Sequence, residues 1–256
     1  HPGDLGVTGR VGGEEFGAVR IAEICRRAGV RATFFLDVYT NDPARARLLR
    51  DIGRRIQDAG HDLQLHTHPD GLYDRRHGCL AQYSLEEQTE ILQEGTDRFR
   101  RWFGVKPVAH RAGDWGANAD TLRALRMVGL PIDSSLFFGW STCELRDSES
   151  PSNHPRVLEG LLEIPPTIFF NSGFGLLRRY RLLSSDGHPS CEIEAVLRQL
   201  NHGRAAVTVS VFHSFSLLEW NAARTRYRVA RHEVSKLERF VRAIGHGART
   251  RSLTFG

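Results

Sequence analysis

Residues 16–66 read FGAVRIAEICRRAGVRATFFLDVYTNDPARARLLRDIGRRIQDAGHDLQLH, and the hydrophobic period changes three times within them. Val19, Ile21, Ala22, Ile24 and Cys25 form a helical stripe that ends at Gly29. The next run, VRATFFLD at 30–37, is apolar and strand-like. Asn41-Asp42-Pro43 then supplies a cap with proline at the first helical position, and Ala44, Leu48, Leu49, Ile52 and Ile56 recur every three to four residues up to Gly60. Residues 61–66 are extended again, so the chain reads helix, strand, helix, strand.

The alternation continues outward from this stretch. Ser84-Leu85-Glu86-Glu87 is a capping box, and Ile91, Leu92, Phe99 and Phe103 carry one helical face to Gly104. Short apolar strands are expected at 108–111 and 130–133, on either side of a helix at 118–129. Residues 158–170 read as two short strands broken at Pro165-Pro166, followed by a helix at 193–200, a strand at 205–212, a helix at 232–244 and a last strand at 252–255. Repeated units of this length predict an α/β domain with a mostly parallel sheet or barrel. No repeat, low-complexity tract or linker interrupts it, so a single domain over 1–256 is the simplest division.

Composition narrows the class. Of 256 residues, 40% are hydrophobic and 25% charged, which provides a sizeable core and excludes disorder as the main state. The longest run without a charge or turn residue, 205–213, is about half of what a bilayer-spanning helix needs. The net charge of +5 comes from 33 Arg and 2 Lys (Lys106, Lys236) dispersed through the chain. Nucleic-acid binding calls for a concentrated basic face, so it is not expected here, whereas an anionic substrate would be helped by such a field. Cys25, Cys79, Cys143 and Cys191 lack CxxC spacing and read as idle thiols. The residues His1-Pro2-Gly3-Asp4 contain neither a start methionine nor a signal peptide, so a segment upstream is expected to be missing. No leader is visible, and a cytoplasmic location is the better expectation.

Sites in parallel α/β folds form at the carboxyl ends of strands. The side chains found there are Asp37, His66-Thr67-His68, Arg111 with Asp114 and Trp115, Asp133 and His213. His66 and His68, two residues apart, project to one side of a strand and can share a cation; the same spacing also fits one capped and one exposed loop histidine. His213 follows the most apolar strand, as a general acid or base would, or as a buried histidine bonded to a carbonyl. Arg111 and Asp114 lie in the turn HRAGDWG, where a guanidinium can orient a carboxylate and Trp115 can stack on a sugar, or where both serve packing. Asp133-Ser134-Ser135 reads equally as a helix cap.

In order along the chain, GVRATFFLD (29–37), GHDLQLHTHP (60–69), HRAGDWG (110–116) and VFHSF (211–215) resemble the polysaccharide deacetylases, the NodB-homology carbohydrate esterases of family 4. PIDSS (131–135) and GLLEIP (160–165) are weaker matches. The resemblance spans most of the chain and implies a distorted (β/α) barrel and a metal-dependent hydrolase that removes N-acetyl, or less often O-acetyl, groups from a saccharide or glycoside. It implies one divalent ion, zinc before cobalt, nickel or iron, on His66 and on His68 in an HxHP variant of the motif, with Asp70 as the fallback. Arg111 matches the residue that holds the catalytic carboxylate. Asp114 falls where the family has tyrosine, whose backbone N–H helps bind the oxyanion. His213 matches the acid that protonates the leaving amine, and Asp133 the carboxylate that orients it.

The departure is at the family's first motif, an Asp-Asp pair ending strand one. Residues 1–16, HPGDLGVTGRVGGEEF, contain no apolar strand. The expectation is that strand one and its carboxylates lie upstream, with Asp4 the nearest carboxylate available to the metal and Glu14, Glu15 and Asp37 poorer substitutes. Two other readings stay open on the same fold: a hydrolase of a non-sugar amide, with Trp115, Trp140 and segment 168–174 lining the cleft, and a non-catalytic carbohydrate-binding protein. The partner expected is an N-acetylated sugar, with no nucleic acid and no membrane span.

Overall fold

The computed structural model describes residues 2–74, 76–145, 152–170, 180–185, 188–202, 207–223, 225–245 and 252–256, giving the backbone course alone at 2–4 and 200–202. It opens with helix α1 (Pro2–Thr8) and a hairpin of β1 (Arg10–Val11) and β2 (Glu14–Glu15). Helix α2 (Ala18–Arg27), strand β3 (Thr33–Asp37), helix α3 (Pro43–Asp58), strand β4 (Asp62–Thr67), helix α4 (Leu85–Phe103), strand β5 (Ala109–Ala112), helix α5 (Ala119–Met127) and strand β6 (Ile132–Asp133) follow. The hairpin β7 (Arg156–Leu158) and β8 (Leu161–Glu163) comes next. Then come the pair β9 (Ile168–Phe170) and β10 (Tyr180–Leu182), helix α6 (Ser190–His202), the pair β11 (Leu218–Trp220) and β12 (Tyr227–Val229), and helix α7 (Arg231–Gly245).

Six strands form one sheet in the order β3-β4-β5-β6-β8-β7. β3 to β8 run parallel, and β7 closes the edge antiparallel to β8. The helices stand where local chemistry starts and stops them. The Asp42 carboxylate accepts the Ala44 N–H at 2.8 Å and Pro43 opens α3. The Ser84–Glu87 box opens α4, and left-handed Gly104 (φ 73°) ends it. Tyr39 packs against α4, its hydroxyl donating to the Ile91 carbonyl at 2.9 Å; a Cβ at Gly95 would lie 1.9 Å from the Tyr39 hydroxyl oxygen.

The apolar faces close on two clusters. One gathers Leu36, Ile52, Ile56, Leu65, Leu92, Phe99, Leu122 and Leu125 around the sheet. The second joins α2, α6 and α7 through Ile21, Ile24, Cys25, Ile193, Leu237 and Phe240. Among the described residues no helix is long and apolar enough to cross a membrane.

The structure departs from the sequence expectation in its first residues, at 205–212 and at 252–255, and adds strands β10, β11 and β12 that the period did not show. Helix α1 and the β1–β2 hairpin occupy a glycine-rich stretch in which the sequence shows no apolar strand. Residues 203–206 lie outside the described residues, and 207–212 form no regular strand. There Val209 donates its N–H to the Thr167 hydroxyl instead of a backbone carbonyl, which interrupts the ladder, although Thr167 N–H to Val209 O and Val211 N–H to Leu183 O persist. The expected strand at 252–255 is likewise replaced by side-chain contacts: Phe255 N–H meets Thr33 Oγ1 and Gly256 N–H meets Asp62.

Candidate active site

The parallel register sets two rows of polar residues side by side at the carboxyl ends of the strands. In one, Asp37 pairs with His66 and His66 with Arg111. In the other, Leu65 pairs with His110, His110 with Asp133 and Asp133 with Glu163. The strand period of two puts these rows on opposite faces.

His66 is held by the neighbouring strand: its Nδ1 lies 2.8 Å from the Arg111 carbonyl oxygen. A carbonyl only accepts, so Nδ1 carries the proton and Nε2 keeps its lone pair, the tautomer of a ligating or basic imidazole. Burial, with the neighbouring His68, pushes its pKa well below the ordinary histidine value, and burial also lowers that of His68. The two rings meet edge to face with centroids 4.8 Å apart. His68 fits because residue 113 is glycine, where a Cβ would lie 2.6 Å from its ring. Pro69 then turns the chain away in a short 3-10 turn, with Asp70 exposed.

Two neutral imidazoles, one anchored through its far nitrogen on a carbonyl, suit a borderline-soft divalent ion as half of a tetrahedral set. Among the described residues no group of three His, Cys, Asp or Glu side chains forms such a set. Asp4 lies in α1, and its side chain is outside the described residues.

Arg111 is corrected in its partner. Its Nε donates to the Ser134 carbonyl at 3.1 Å and its Nη2 to the Ser134 hydroxyl at 2.8 Å. Its guanidinium carbon lies 4.2 Å from the Phe35 ring centroid and 5.4 Å from that of Trp115. Among the described residues it forms no ion pair with a carboxylate, and burial lowers its pKa to about 10. Trp115 is corrected too: at 8% exposure it is wedged between Arg111 and the edge of Phe137, with no free face for a sugar. Trp140, stacked on Phe137 at 5.1 Å and 41% exposed, has that face. Asp114 takes a left-handed conformation (φ 50°), and its carbonyl accepts from the Thr142 hydroxyl.

Asp133 is fully buried and bonded to His110 Nδ1 at 2.8 Å, the Ser135 hydroxyl at 2.9 Å and the Ser135 N–H at 3.1 Å. The register therefore gives Asp133 a different histidine from the one expected. It orients His110, directly beside it on β5, and not His213. His110 Nε2 reaches the Thr67 hydroxyl at 3.0 Å. Glu163 completes the row, and its Oε1 accepts the Leu136 N–H at 3.0 Å. Burial, and then the adjacent Asp133 through its charge and a side-chain hydrogen bond, raise its pKa well above the ordinary glutamate value, which favours its neutral form. His110 and Glu163 were missed in the sequence. Glu163 was visible only as a charge inside a short apolar strand.

His213 is exposed at the start of a turn, its ring stacked on Phe215 at 4.8 Å and its N–H donated to the Ser216 hydroxyl at 3.0 Å. Of segment 168–174, Phe169 contacts His188 and Phe170 is half exposed against Tyr180; 171–174 lie outside the described residues. Among the described residues no disulfide joins the cysteines.

The sequence profile of the polysaccharide deacetylases matches residues 13–132. No curated protein matches the chain. Among solved structures, a Mycobacterium smegmatis protein assigned to the polysaccharide deacetylases aligns over 92% of this chain and 72% of its own at 21% identity, with a TM-score of 0.59. A 4-alpha-glucanotransferase from Thermococcus litoralis aligns over 94% of this chain and 35% of its own at 15% identity and TM-score 0.55. The chitin deacetylase of Colletotrichum lindemuthianum gives 16% identity, 93% and 80% coverage and a TM-score of 0.47. The fold is the distorted (β/α) barrel of the polysaccharide deacetylase type. Residues 13–132, which carry Asp37, His66, His68 and Arg111 on three neighbouring strands and the turn after the second, are thus the part of the chain that is similar in sequence to the polysaccharide deacetylase family.

Proposed function

We propose that the chain is a single catalytic domain that hydrolyses the N-acetyl group of a saccharide or glycoside. The observation that carries this reading is the His66–His68 pair: two neutral imidazoles at a strand end, one fixed by the Arg111 carbonyl, beside Asp37 in register. His66 and His68 would hold a divalent ion, zinc before cobalt, nickel or iron, with a carboxylate such as Asp4 as third ligand. When bound, that ion supplies polarisation of the acetyl carbonyl and a lowered pKa for water.

The chain's own residues do the rest. A carboxylate accepts the proton of the attacking water. A backbone N–H of the left-handed turn at Asp114 donates to the developing oxyanion. His213, exposed and with its backbone anchored on Ser216, protonates the departing amine, and the products are the free amine and acetate. Arg111 keeps the ends of β4, β5 and β6 in register through its own carbonyl and through Ser134.

Acetate release from chitooligosaccharides, with zinc supplied, tests the reading beside His213→Ala. Turnover that falls by about 10²-fold or more in the variant, with its metal content intact, is the expected result. Normal turnover in the variant would remove His213 from the reaction. No acetate from the wild-type chain would overturn the reading itself.

A further inference from the structure

Asp37 is the carboxylate that the sheet sets beside the histidine pair. It ends β3 and is the ladder partner of His66, which is in turn the partner of Arg111, so the three side chains leave one face of the sheet in a row. Its two oxygens differ. Oδ1 accepts the Tyr39 N–H at 2.9 Å, which fixes the rotamer. Oδ2 lies 3.7 Å from an Arg45 amino group, too long for a hydrogen bond, so it faces a positive charge with lone pairs to spare. The side chain keeps 17% of its surface in contact with solvent.

Arg45 stands in the first turn of α3, a turn set by the Asp42 cap and Pro43. It holds Asp37 as Arg111 was expected to hold a carboxylate; Arg111 itself is occupied by Ser134 and Phe35. Asp37 also forms no three-residue ligand group with His66 and His68. It lies one strand away from them, as a base acting on a water between them would.

We infer that Asp37 is the general base of the proposed hydrolysis, held by Arg45 and the Tyr39 N–H. The inference rests on the deacetylase reading. A water O–H bond breaks as its proton passes to Asp37 Oδ2, and the water oxygen bonds to the acetyl carbon as the carbonyl π pair moves onto its oxygen. That pair re-forms the carbonyl as the C–N bond breaks and the amine takes a proton from His213; Asp37 then gives its proton to solvent, His213 regains one, and the acetic acid released ionises to acetate.

The test compares the wild-type chain with Asp37→Asn, which preserves the shape and the Tyr39 contact, with Asp37→Ala and with Arg45→Met. Steady-state acetate release from chitooligosaccharides is measured beside zinc content and thermal midpoint. Expected for Asp37→Asn is a loss in kcat of about 10²- to 10⁴-fold with KM within about threefold, zinc content and midpoint unchanged. Added formate should restore part of the rate to Asp37→Ala, and Arg45→Met should lose about tenfold in kcat, from a mispositioned base. An Asp37→Asn variant with wild-type kcat, or one that loses its zinc, overturns the assignment. A wild-type chain that binds zinc and releases no acetate overturns the deacetylase reading, and the assignment with it.

Discussion

The Nδ1 of His66 lies 2.8 Å from the backbone carbonyl of Arg111, the residue paired with it on the next strand. One hydrogen bond thus ties the tautomer of the candidate ligand to the register of the sheet. Anything that shifts β4 against β5 moves the lone pair as well. Such outer contacts are worth about 10- to 100-fold in metal affinity.

The His68 ring depends on Gly113. A Cβ there would lie 2.6 Å from the ring and 2.7 Å from the Thr67 carbonyl oxygen, and the backbone oxygen has little room to retreat. Gly113→Ala should therefore weaken zinc retention by about tenfold or more and cost about 1–3 kcal/mol of stability. Zinc competition with a chelator and urea denaturation measure the two effects. Wild-type zinc affinity in the variant would show that His68 is not a ligand.

Glu163 makes a prediction about pH. Its raised pKa favours the protonated form in the folded chain, while an unfolded glutamate loses its proton near pH 4, so folding favours proton uptake above that pH. Its contribution is fully present below about pH 4 and falls as pH rises toward the raised folded value. His66 and His68, held neutral by burial, give the opposite slope through their ordinary range, so the difference between variant and wild type is the useful quantity. Glu163→Gln should gain stability relative to wild type between pH 5 and 8, read by urea denaturation at each pH. A relative loss over that window would mean that Glu163 is ionised.

Asp133 is the acceptor for a buried imidazole and a buried serine. Ser135 in turn accepts the Ala112 N–H at 2.9 Å, and Ser134 holds Arg111. Removing the carboxylate strands His110 and Ser135 without an acceptor, so Asp133→Ala should cost about 3 kcal/mol or more in urea denaturation. A cost below about 1 kcal/mol would contradict the network. His213→Ala should leave stability near wild type.

Trp115 and Trp140 should separate cleanly. Trp115→Ala opens a cavity between Arg111 and Phe137 and should cost about 3–5 kcal/mol. Trp140→Ala should raise KM for chitooligosaccharides several-fold with kcat nearly unchanged. Unaltered KM would place the saccharide elsewhere.

Much of this was legible in the sequence because it rests on local chemistry. The Asp42-Pro43 start of α3, the Ser84–Glu87 box and Gly104 each specify a helix boundary within four residues of themselves, and all three formed. The HTH pair and HRAGDWG were visible as polar groups closing apolar strands. What could not be read depends on which strands lie side by side. Asp133 beside His110, and Asp37 beside His66, follow from register, and period alone does not give register. Trp115 failed as a sugar platform because burial is decided by Phe137, 22 residues away in sequence.

The most direct measurement is zinc stoichiometry together with acetate release for the wild-type chain and for His66→Ala with His68→Ala. About one equivalent of zinc with measurable acetate from chitooligosaccharides, both lost in the double variant, is the result this account predicts. Zinc bound equally by the double variant, or acetate released by it at the wild-type rate, would contradict it.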